Sequence, residues 1–328
     1  MMKFVIYGVL FLVCIGAAIF YLGPKEPITG PFTYDSAAIS GDVDGYLYRS
    51  EQTVPNLVRG AQKHVQWYDP ARRNRTEWAV VYIHGFSATS FEVRPLPKLV
   101  ADALEGNLYY TRLKGHGRDG AAMLEGSVPA WMNDVAEALE IGRRIGDKVL
   151  VIGTSTGGSL SALAAFDNRL KDKVDALAFI SPNFGVKAGG ARLLTLPFAR
   201  SFVPLIAGKT RSFTPHNEEH GRRWTTSYPT RALLPMAAAV KAASGLPFEQ
   251  AEVPALFVFA DADQVVDATR TREVAARWGA SVSLYPVAMK KEDDPSSHVI
   301  AGDIMSPGQT YPIAERILLW VTGLKFEN

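Results

Sequence analysis

One serine of this sequence lies between two glycines at a spacing that serves nucleophilic chemistry. Residues Gly153 to Gly157 read Gly-Thr-Ser-Thr-Gly, with Ser155 in the middle. A β-branched run at 148–152 precedes them and a helix-forming run at 159–166 follows, so the chain must turn sharply from a strand into a helix. Such a turn leaves no room for side chains at the two glycines and holds the serine hydroxyl above the carboxyl end of the strand. We therefore predict that Ser155 is a nucleophile.

A serine hydroxyl is a weak nucleophile at neutral pH and needs a base within hydrogen-bond reach, usually a histidine that a carboxylate orients. The sequence holds six histidines, and His298 stands in a loop ahead of the last helical pattern. Three aspartates, Asp261, Asp263 and Asp267, follow an apolar run at 255–259. These residue types predict acyl transfer through a covalent intermediate.

The elements that must position these residues alternate between short apolar strands and helical patterns. This alternation implies parallel pairing with right-handed crossovers, and therefore an α/β protein whose mostly parallel, doubly wound sheet is covered on both faces. The predicted strands are 79–83, 108–113, 148–152, 175–180, 255–259 and 281–285. The predicted helices are 95–104, 131–145, 159–166, 269–278 and 311–321.

An inserted lobe, residues 183–250, interrupts this alternation. It holds helix-like pieces and several prolines, and we predict no strand in it. Nine of its residues are basic, against three glutamates. Two apolar runs, 193–198 and 202–206, could line an acyl pocket or could serve only to pack the lobe on the core, because pockets and cores share composition.

With these motifs the sequence resembles the α/β-hydrolase family, and within it the branch of monoacylglycerol lipases and carboxylesterases. The resemblance covers residues 76–325 and implies an α/β-hydrolase fold with an inserted helical lid at 183–250. Each matching motif follows a different strand, in the family's order along the chain. The motifs are His84-Gly85-Phe86, Gly115-His116-Gly117, the turn around Ser155, Asp263 and His298.

The resemblance implies a role for each member of a catalytic triad. Ser155 would be the nucleophile, and His298 the base that later protonates the leaving alkoxide. Asp263 would be the carboxylate that orients His298. Of the other two aspartates, Asp261 could merely orient the loop, and Asp267 has the position of a helix N-cap.

The same resemblance assigns the oxyanion site to the backbone N–H groups of Phe86 and Thr156. It makes His84 a support of that loop and not a base. His116, between two glycines, is interpreted as a turn residue packed near the site. His64 is interpreted as an ordinary polar position in an early strand.

A metal pair is conceivable at His216 and His220, which lie in the inserted lobe with Glu219 between them. No third ligand is evident in the sequence, so we predict no metal site. The expected chemistry implies no cofactor. The charged stretch at 290–294, ahead of His298, is interpreted as a solvated loop.

The amino terminus carries an uncharged run at 4–22, after Lys3. Its length matches the hydrocarbon thickness of a bilayer, which predicts a single-pass membrane anchor. A cleaved signal peptide is the alternative, but the run is long for one and no convincing Ala-x-Ala site follows it. The charge of Lys3 favours a cytoplasmic amino end and an extracytoplasmic catalytic domain.

Composition supports a globular body behind this anchor. The 328 residues are 47% hydrophobic and 21% charged, and their formal charge of +2 without long basic runs gives no support to nucleic-acid binding. The one cysteine, Cys14, excludes an internal disulfide.

Residues 27–40 predict a tether without folded elements. The predicted segments are anchor 1–23, tether and leading strands 24–75, hydrolase core 76–182, lid 183–250 and hydrolase core 251–328.

The sequence thus predicts a membrane-anchored serine hydrolase that cleaves carboxylic esters. Medium-chain monoesters or monoacylglycerols are the expected substrates, because an apolar lobe held at a membrane would meet amphiphiles there. The expected partners are a small ester or lipid and the membrane, with no nucleic acid. Alternatives are a proline-iminopeptidase-like peptidase or an acyltransferase using the same triad. An inactive binding protein with the hydrolase fold is the alternative from another class.

Overall fold

The apolar runs of the sequence form the strands of one large sheet. The computed structural model describes residues 2–39 and 41–325; Met1, Ser40 and residues 326–328, from the predicted anchor, tether and closing segment, lie outside the described residues. In chain order the strands are β1 (His64–Gln66), β2 (Thr76–Ile83), β3 (Asn107–Tyr110), β4 (Gly146–Thr154), β5 (Ala176–Ile180), β6 (Thr210–Ser212), β7 (Ser227–Pro229), β8 (Ala255–Phe259) and β9 (Val282–Pro286).

Within the described residues the large sheet has seven strands in the order β1-β3-β2-β4-β5-β8-β9. Only β1 is antiparallel, at one edge; the other neighbours pair in parallel, with Val80 opposite both Leu108 and Leu150. The chain runs from β2 outward to β3 and then returns to the other side of β2 to form β4. Strand order reverses there, so the loops after β2 and β4 face each other across the crevice where ligands bind in such sheets.

Helices cover both faces of this sheet, as the alternation predicts. Alternate residues of the central strands point to opposite faces, so Val80 packs with α4 and α11, whereas Val81 packs with α5 and α6. The mostly parallel, doubly wound α/β-hydrolase fold is thereby confirmed. The helices are α1 (Met2–Leu22), α2 (Ser36–Ile39), α3 (Val43–Gln52), α4 (Leu96–Ala103), α5 (Val128–Ile145), α6 (Thr156–Phe166), α7 (Ala199–Ile206), α8 (Glu218–Arg223), α9 (Leu233–Ser244), α10 (Ala268–Arg277) and α11 (Pro307–Thr322).

The inserted lobe contains a small hairpin, so the prediction that it holds no strand is wrong. The strands β6 and β7 pair in antiparallel fashion, with Arg211 opposite Tyr228. Each strand is three residues long, and every residue of β6 is exposed. No apolar run marks such short strands, because Tyr228 is the one residue of the hairpin that is buried.

The segment before the sheet is more ordered than a tether with leading strands. It forms α2, α3 and the single strand β1. The backbone N–H groups of Thr33 and Tyr34 donate to the Asn133 side chain on α5, and Ile39 is fully buried. Isolated apolar residues between prolines and glycines show no period in the sequence, yet each can be buried by a neighbouring helix.

Candidate active site

The turn between β4 and α6 holds Ser155 in a strained conformation. Its φ of 51° and ψ of −118° lie outside the regions that non-glycine residues usually adopt. A Cβ at Gly153 would approach the Gly157 carbonyl oxygen to 2.9 Å, and one at Gly157 would approach the Ile83 carbonyl oxygen to 2.1 Å. Both glycines are therefore required by the close approach of backbone segments, and the predicted sharp turn is confirmed.

The structure brings Ser155, His298 and Asp263 into one hydrogen-bonded chain. His298 Nε2 lies 3.0 Å from Ser155 Oγ, and His298 Nδ1 lies 2.8 Å from Asp263 Oδ2. All three residues are buried. The backbone N–H groups of Val265 and Val266 donate to the other oxygen of Asp263, so the carboxylate is fixed in the plane it needs to hold the imidazole.

The other two aspartates of this loop are directed elsewhere. Asp267 accepts from the Thr269 backbone N–H and caps α10, as predicted. Asp261 is exposed and forms an ion pair with Arg272 at 2.7 Å. Asp263 is the one of the three whose carboxylate bonds to His298.

The loop before His298 differs from its prediction as a solvated segment. Asp293 and Asp294 are buried there, and Asp294 Oδ2 accepts the backbone N–H groups of His298 and Val299 at 3.0 and 2.8 Å. Burial raises the pKa of Asp294, but the hydrogen bond from the Ser296 hydroxyl, together with those from the backbone, outweighs it and holds the pKa below its ordinary value. Asp294 thus fixes the backbone that carries His298. Sequence analysis missed it; the tendency of aspartate to accept nearby backbone N–H groups in turns was the available signal.

Charge around His298 favours its protonated form. Burial alone would lower the pKa of the imidazole, but the Asp263 carboxylate raises it by its charge and its hydrogen bond, and the net pKa is above the ordinary value. Glu92 and Asp294 add to this effect. An imidazolium at this position can be formed by taking a proton from Ser155 and is stabilised once formed.

Two hydrogen bonds of His84 hold the loop that carries Phe86, one of the two predicted oxyanion donors. His84 Nδ1 donates to the Gly85 carbonyl at 2.8 Å, and Nε2 accepts from the Leu113 N–H at 3.1 Å. Because C=O and N–H of a trans peptide point in opposite directions, anchoring the Gly85 carbonyl turns the Phe86 N–H the other way. Burial lowers the pKa of His84 to about 4, so the ring stays neutral in this supporting position.

The peptide after the serine is oriented in the same manner. The Ser155 carbonyl accepts from the backbone N–H groups of Gly158 at 2.9 Å and Asn183 at 3.0 Å, which turns the Thr156 N–H in the opposite direction. Within residues 2–39 and 41–325, neither the Phe86 N–H nor the Thr156 N–H has a hydrogen-bond acceptor. Both donors are free to bind a ligand oxygen.

His116, His64 and His220 contact neighbouring rings or backbone groups and form no hydrogen bond with the triad. The ring of His116 lies 5.1 Å from that of His84, and burial holds its pKa well below the ordinary value, which fits a turn residue packed near the site. His64 begins β1 and stacks on Tyr110. His220 Nδ1 accepts from the His216 backbone N–H. The described part of the chain places no group of three or more His, Cys, Asp or Glu side chains to hold a metal ion.

Apolar side chains of the inserted lobe pack against the loop that carries Phe86. Phe213, Tyr228 and Leu233 pack with Phe86 and Met123 around the oxyanion loop. The two apolar runs at 193–198 and 202–206 lie elsewhere. They form a separate cluster within the lobe, whose members are Leu194, Ala199, Phe202, Val203 and Leu234.

The sheet, the strained serine at the carboxyl end of β4 and the loops that meet it define an α/β hydrolase. The chain belongs to the family described as serine aminopeptidase, S33, whose sequence model matches residues 74–289. The comparison with curated proteins gave no match.

Solved structures of lipolytic enzymes share the fold. One describes the metagenome-derived enzymes LipS and LipT, with 19% identity, 82% of this chain and 100% of that chain covered, and a TM-score of 0.66. The Paleococcus ferrophilus monoacylglycerol lipase has 15% identity, with 79% of this chain and 97% of that chain covered, and a TM-score of 0.56. A soluble variant of the Saccharomyces cerevisiae monoglyceride lipase has 12% identity, with 89% of this chain and 98% of that chain covered, and a TM-score of 0.55.

Proposed function

We propose that this protein is a serine hydrolase that cleaves carboxylic esters through an acyl-enzyme intermediate. The observation that carries the proposal is the hydrogen-bonded chain from Ser155 through His298 to Asp263. Each contact has the direction that the reaction needs. His298 Nδ1–H faces a fixed carboxylate, so Nε2 is the nitrogen left to accept the serine proton.

In the proposed mechanism Ser155 Oγ attacks the ester carbonyl while its proton passes to His298 Nε2. The carbonyl oxygen becomes an oxyanion and accepts from the Phe86 and Thr156 N–H groups, a stabilisation of roughly 3 kcal/mol per donor in comparable sites. The intermediate collapses as the alkoxide leaves with the proton of His298. Water then attacks the acyl-enzyme while His298 Nε2 takes its proton. His298 returns that proton to Ser155 Oγ as the carboxylic acid is released.

An ester with an apolar acyl chain suits the surroundings of the site better than a peptide with a free amino terminus. The lobe side chains around Phe86 are apolar or aromatic. A peptide α-ammonium group would lose its hydration against these side chains. The similar solved structures also include lipolytic enzymes and a monoacylglycerol lipase.

We further propose that α1 anchors the protein in a membrane. Within residues 3–22 an 18-residue window has a mean hydropathy of 2.5, and none of its residues is buried inside the protein. The chain leaving this helix contacts the inserted lobe: the Phe198 N–H donates to the Pro24 carbonyl at 2.9 Å, and Arg200 pairs with Glu26 at 2.6 Å.

This contact supports a lobe held against the bilayer surface. The helix α7 begins at the contact, and Leu205 and Ile206 at its end are 81% and 64% exposed. Exposed apolar side chains next to a membrane-spanning helix gain free energy by entering the interface. The lobe would then serve as a lid that meets substrate at the membrane, with the catalytic domain on the extracytoplasmic side.

The full chain should remain in the membrane fraction through high-salt and carbonate washes, because only an integral helix resists both. A chain beginning at Pro31 keeps the Thr33 contact with α5 and should be soluble and active. Fractionation and amino-terminal sequencing check this result. A native protein whose first residue lies beyond 23 would show instead that the segment is a cleaved signal peptide.

The chain beginning at Pro31 should hydrolyse medium-chain esters better than acetyl esters. Each further methylene buried beside the apolar lobe contributes about 0.8 kcal/mol until the available surface is covered. Measuring kcat/KM for p-nitrophenyl esters from C2 to C16, beside a panel of aminopeptide substrates, tests both points. A steady fall of kcat/KM from C2 onward would show that the apolar lobe provides no acyl pocket. Faster cleavage of the aminopeptides would favour the peptidase.

A further inference from the structure

A buried glutamate that sequence analysis did not single out lies behind the oxyanion loop. Glu92 is 3% exposed, and its Oε2 accepts the Gly85 backbone N–H at 2.7 Å and the Tyr82 hydroxyl at 2.9 Å. Gly85 is thus held at its N–H by Glu92 and at its carbonyl by His84. Both ends of the residue that orients the Phe86 N–H are fixed.

Glu92 also lies close to the nucleophile. A Cβ built on Gly85 would stand 2.6 Å from Glu92 Oε1 and 3.1 Å from the Cβ of Ser155. The carboxylate and the serine therefore flank the same glycine, with no side chain between them. The Tyr82 hydroxyl, 3.2 Å from Thr154 Oγ1, links Glu92 to the last residue of β4 before Ser155.

The charge of Glu92 reaches His298. The carboxylates of Asp263, Glu92 and Asp294 all raise the pKa of the imidazole. The charge of Asp294 also acts on His220. Burial in turn raises the pKa of Glu92, and the Gly85 N–H, the Tyr82 hydroxyl and His298 oppose that rise. Two of these three opposing groups are hydrogen-bond donors to Oε2.

We propose that Glu92 is a positioning residue for the reaction at Ser155, with two actions. Through its hydrogen bond to Gly85 it holds the oxyanion-binding peptide in place. Through its negative charge it favours the imidazolium that His298 forms when it takes the serine proton. The inference rests on the proposed serine-hydrolase function, and the geometry distinguishes it from Asp263, which contacts the imidazole directly.

Glu92→Gln separates charge from shape, because the amide oxygen can accept both hydrogen bonds while the charge is lost. The pKa of His298 should fall, so the rise of reactivity with pH should move to lower pH by roughly 0.5 to 1 unit. The limiting rate should fall by roughly 3- to 10-fold. The readout is the second-order rate of Ser155 labelling by a fluorophosphonate across pH 5 to 9, which is independent of the natural ester.

Two further variants separate the charge from the hydrogen bonds. Tyr82→Phe removes one donor to Glu92 but keeps its charge, so the pH midpoint should stay at the wild-type value. Glu92→Asp restores the charge on a shorter side chain, so the midpoint should return toward wild type even where the rate does not. Thermal unfolding of each variant reports whether it is folded.

An unchanged midpoint in Glu92→Gln, or an equal shift in Tyr82→Phe, would overturn the action by charge while leaving the proposed function intact. If Glu92→Gln does not fold, the pH midpoints of Glu92→Asp and Tyr82→Phe are compared. Both variants keep the negative charge, so a shift of the Glu92→Asp midpoint toward lower pH would overturn the proposal. If the fluorophosphonate did not label Ser155 of the wild-type protein, both the proposed function and this inference would be wrong.

Discussion

The Ser155→Ala protein is expected to fold normally and to lose ester hydrolysis by roughly 10⁴- to 10⁶-fold, as loss of a triad member does in other serine hydrolases. The substitution removes the atom that forms the acyl-enzyme. It leaves the strained backbone in place, because alanine and serine have similar costs at the observed φ of 51°. Steady-state hydrolysis of a p-nitrophenyl ester measures the loss, and circular dichroism reports the fold.

Ser161→Ala, on the helix α6 that follows Ser155, provides a matched control. The Ser161 hydroxyl is also buried, but it donates to the Gly157 carbonyl at 2.7 Å and contacts no member of the triad. Its removal should reduce stability by about 1 kcal/mol and leave the rate within a few-fold of wild type. Near-wild-type turnover by a folded Ser155→Ala protein would contradict the proposed mechanism.

Asp263→Asn is expected to reduce kcat by roughly 10⁴-fold, the loss found when the triad aspartate of a serine protease is so changed. The new amide oxygen can still accept from Val265 and Val266. Its NH₂ group would then face His298 Nδ1 and donate to it. The imidazole proton is thereby moved to Nε2, which can no longer accept the serine proton.

Asp261→Asn and Asp267→Asn are the controls from the same loop. The first breaks an exposed ion pair with Arg272, which contributes little to stability. The second keeps a good N-cap, because asparagine accepts the Thr269 N–H as aspartate does. Both should keep kcat within a few-fold of wild type. If Asp261→Asn abolished activity while Asp263→Asn kept it, the orienting carboxylate would be Asp261 and our assignment of Asp263 would be wrong.

What the sequence determined by itself around Ser155 depends on local stereochemistry. Only glycine fits where a strand turns at once into a helix, so Gly153 and Gly157 predict the turn from residue type alone. Asp267 could be predicted as an N-cap for a similar reason, since the bond it accepts comes from Thr269, two residues away. The continuous apolar runs of the central strands likewise predict a sheet buried on both faces, because successive side chains of a strand point to opposite faces.

Only the tertiary structure decided features that depend on contacts between distant segments. The hairpin of β6 and β7 has no apolar pattern, since five of its six residues are exposed or half-buried and only Tyr228 is buried. The apolar runs of the lobe were consistent with a pocket or with packing. In the structure Leu194, Phe202 and Val203 pack within the lobe, whereas Leu205 and Ile206 are exposed. Composition alone contains no information on which surface an apolar run covers.

The buried carboxylates show the same limit at the site itself. The charged stretch before His298 has the composition of a solvated loop, but Asp294 is turned inward by the backbone N–H groups that it accepts. Glu92 lies in a polar segment without periodicity, and its value as a neighbour of Gly85 and His298 arises only when the loops after β2 and β4 converge. Burial of a charge is decided by the partners that folding brings to it, and those partners are not adjacent in the sequence.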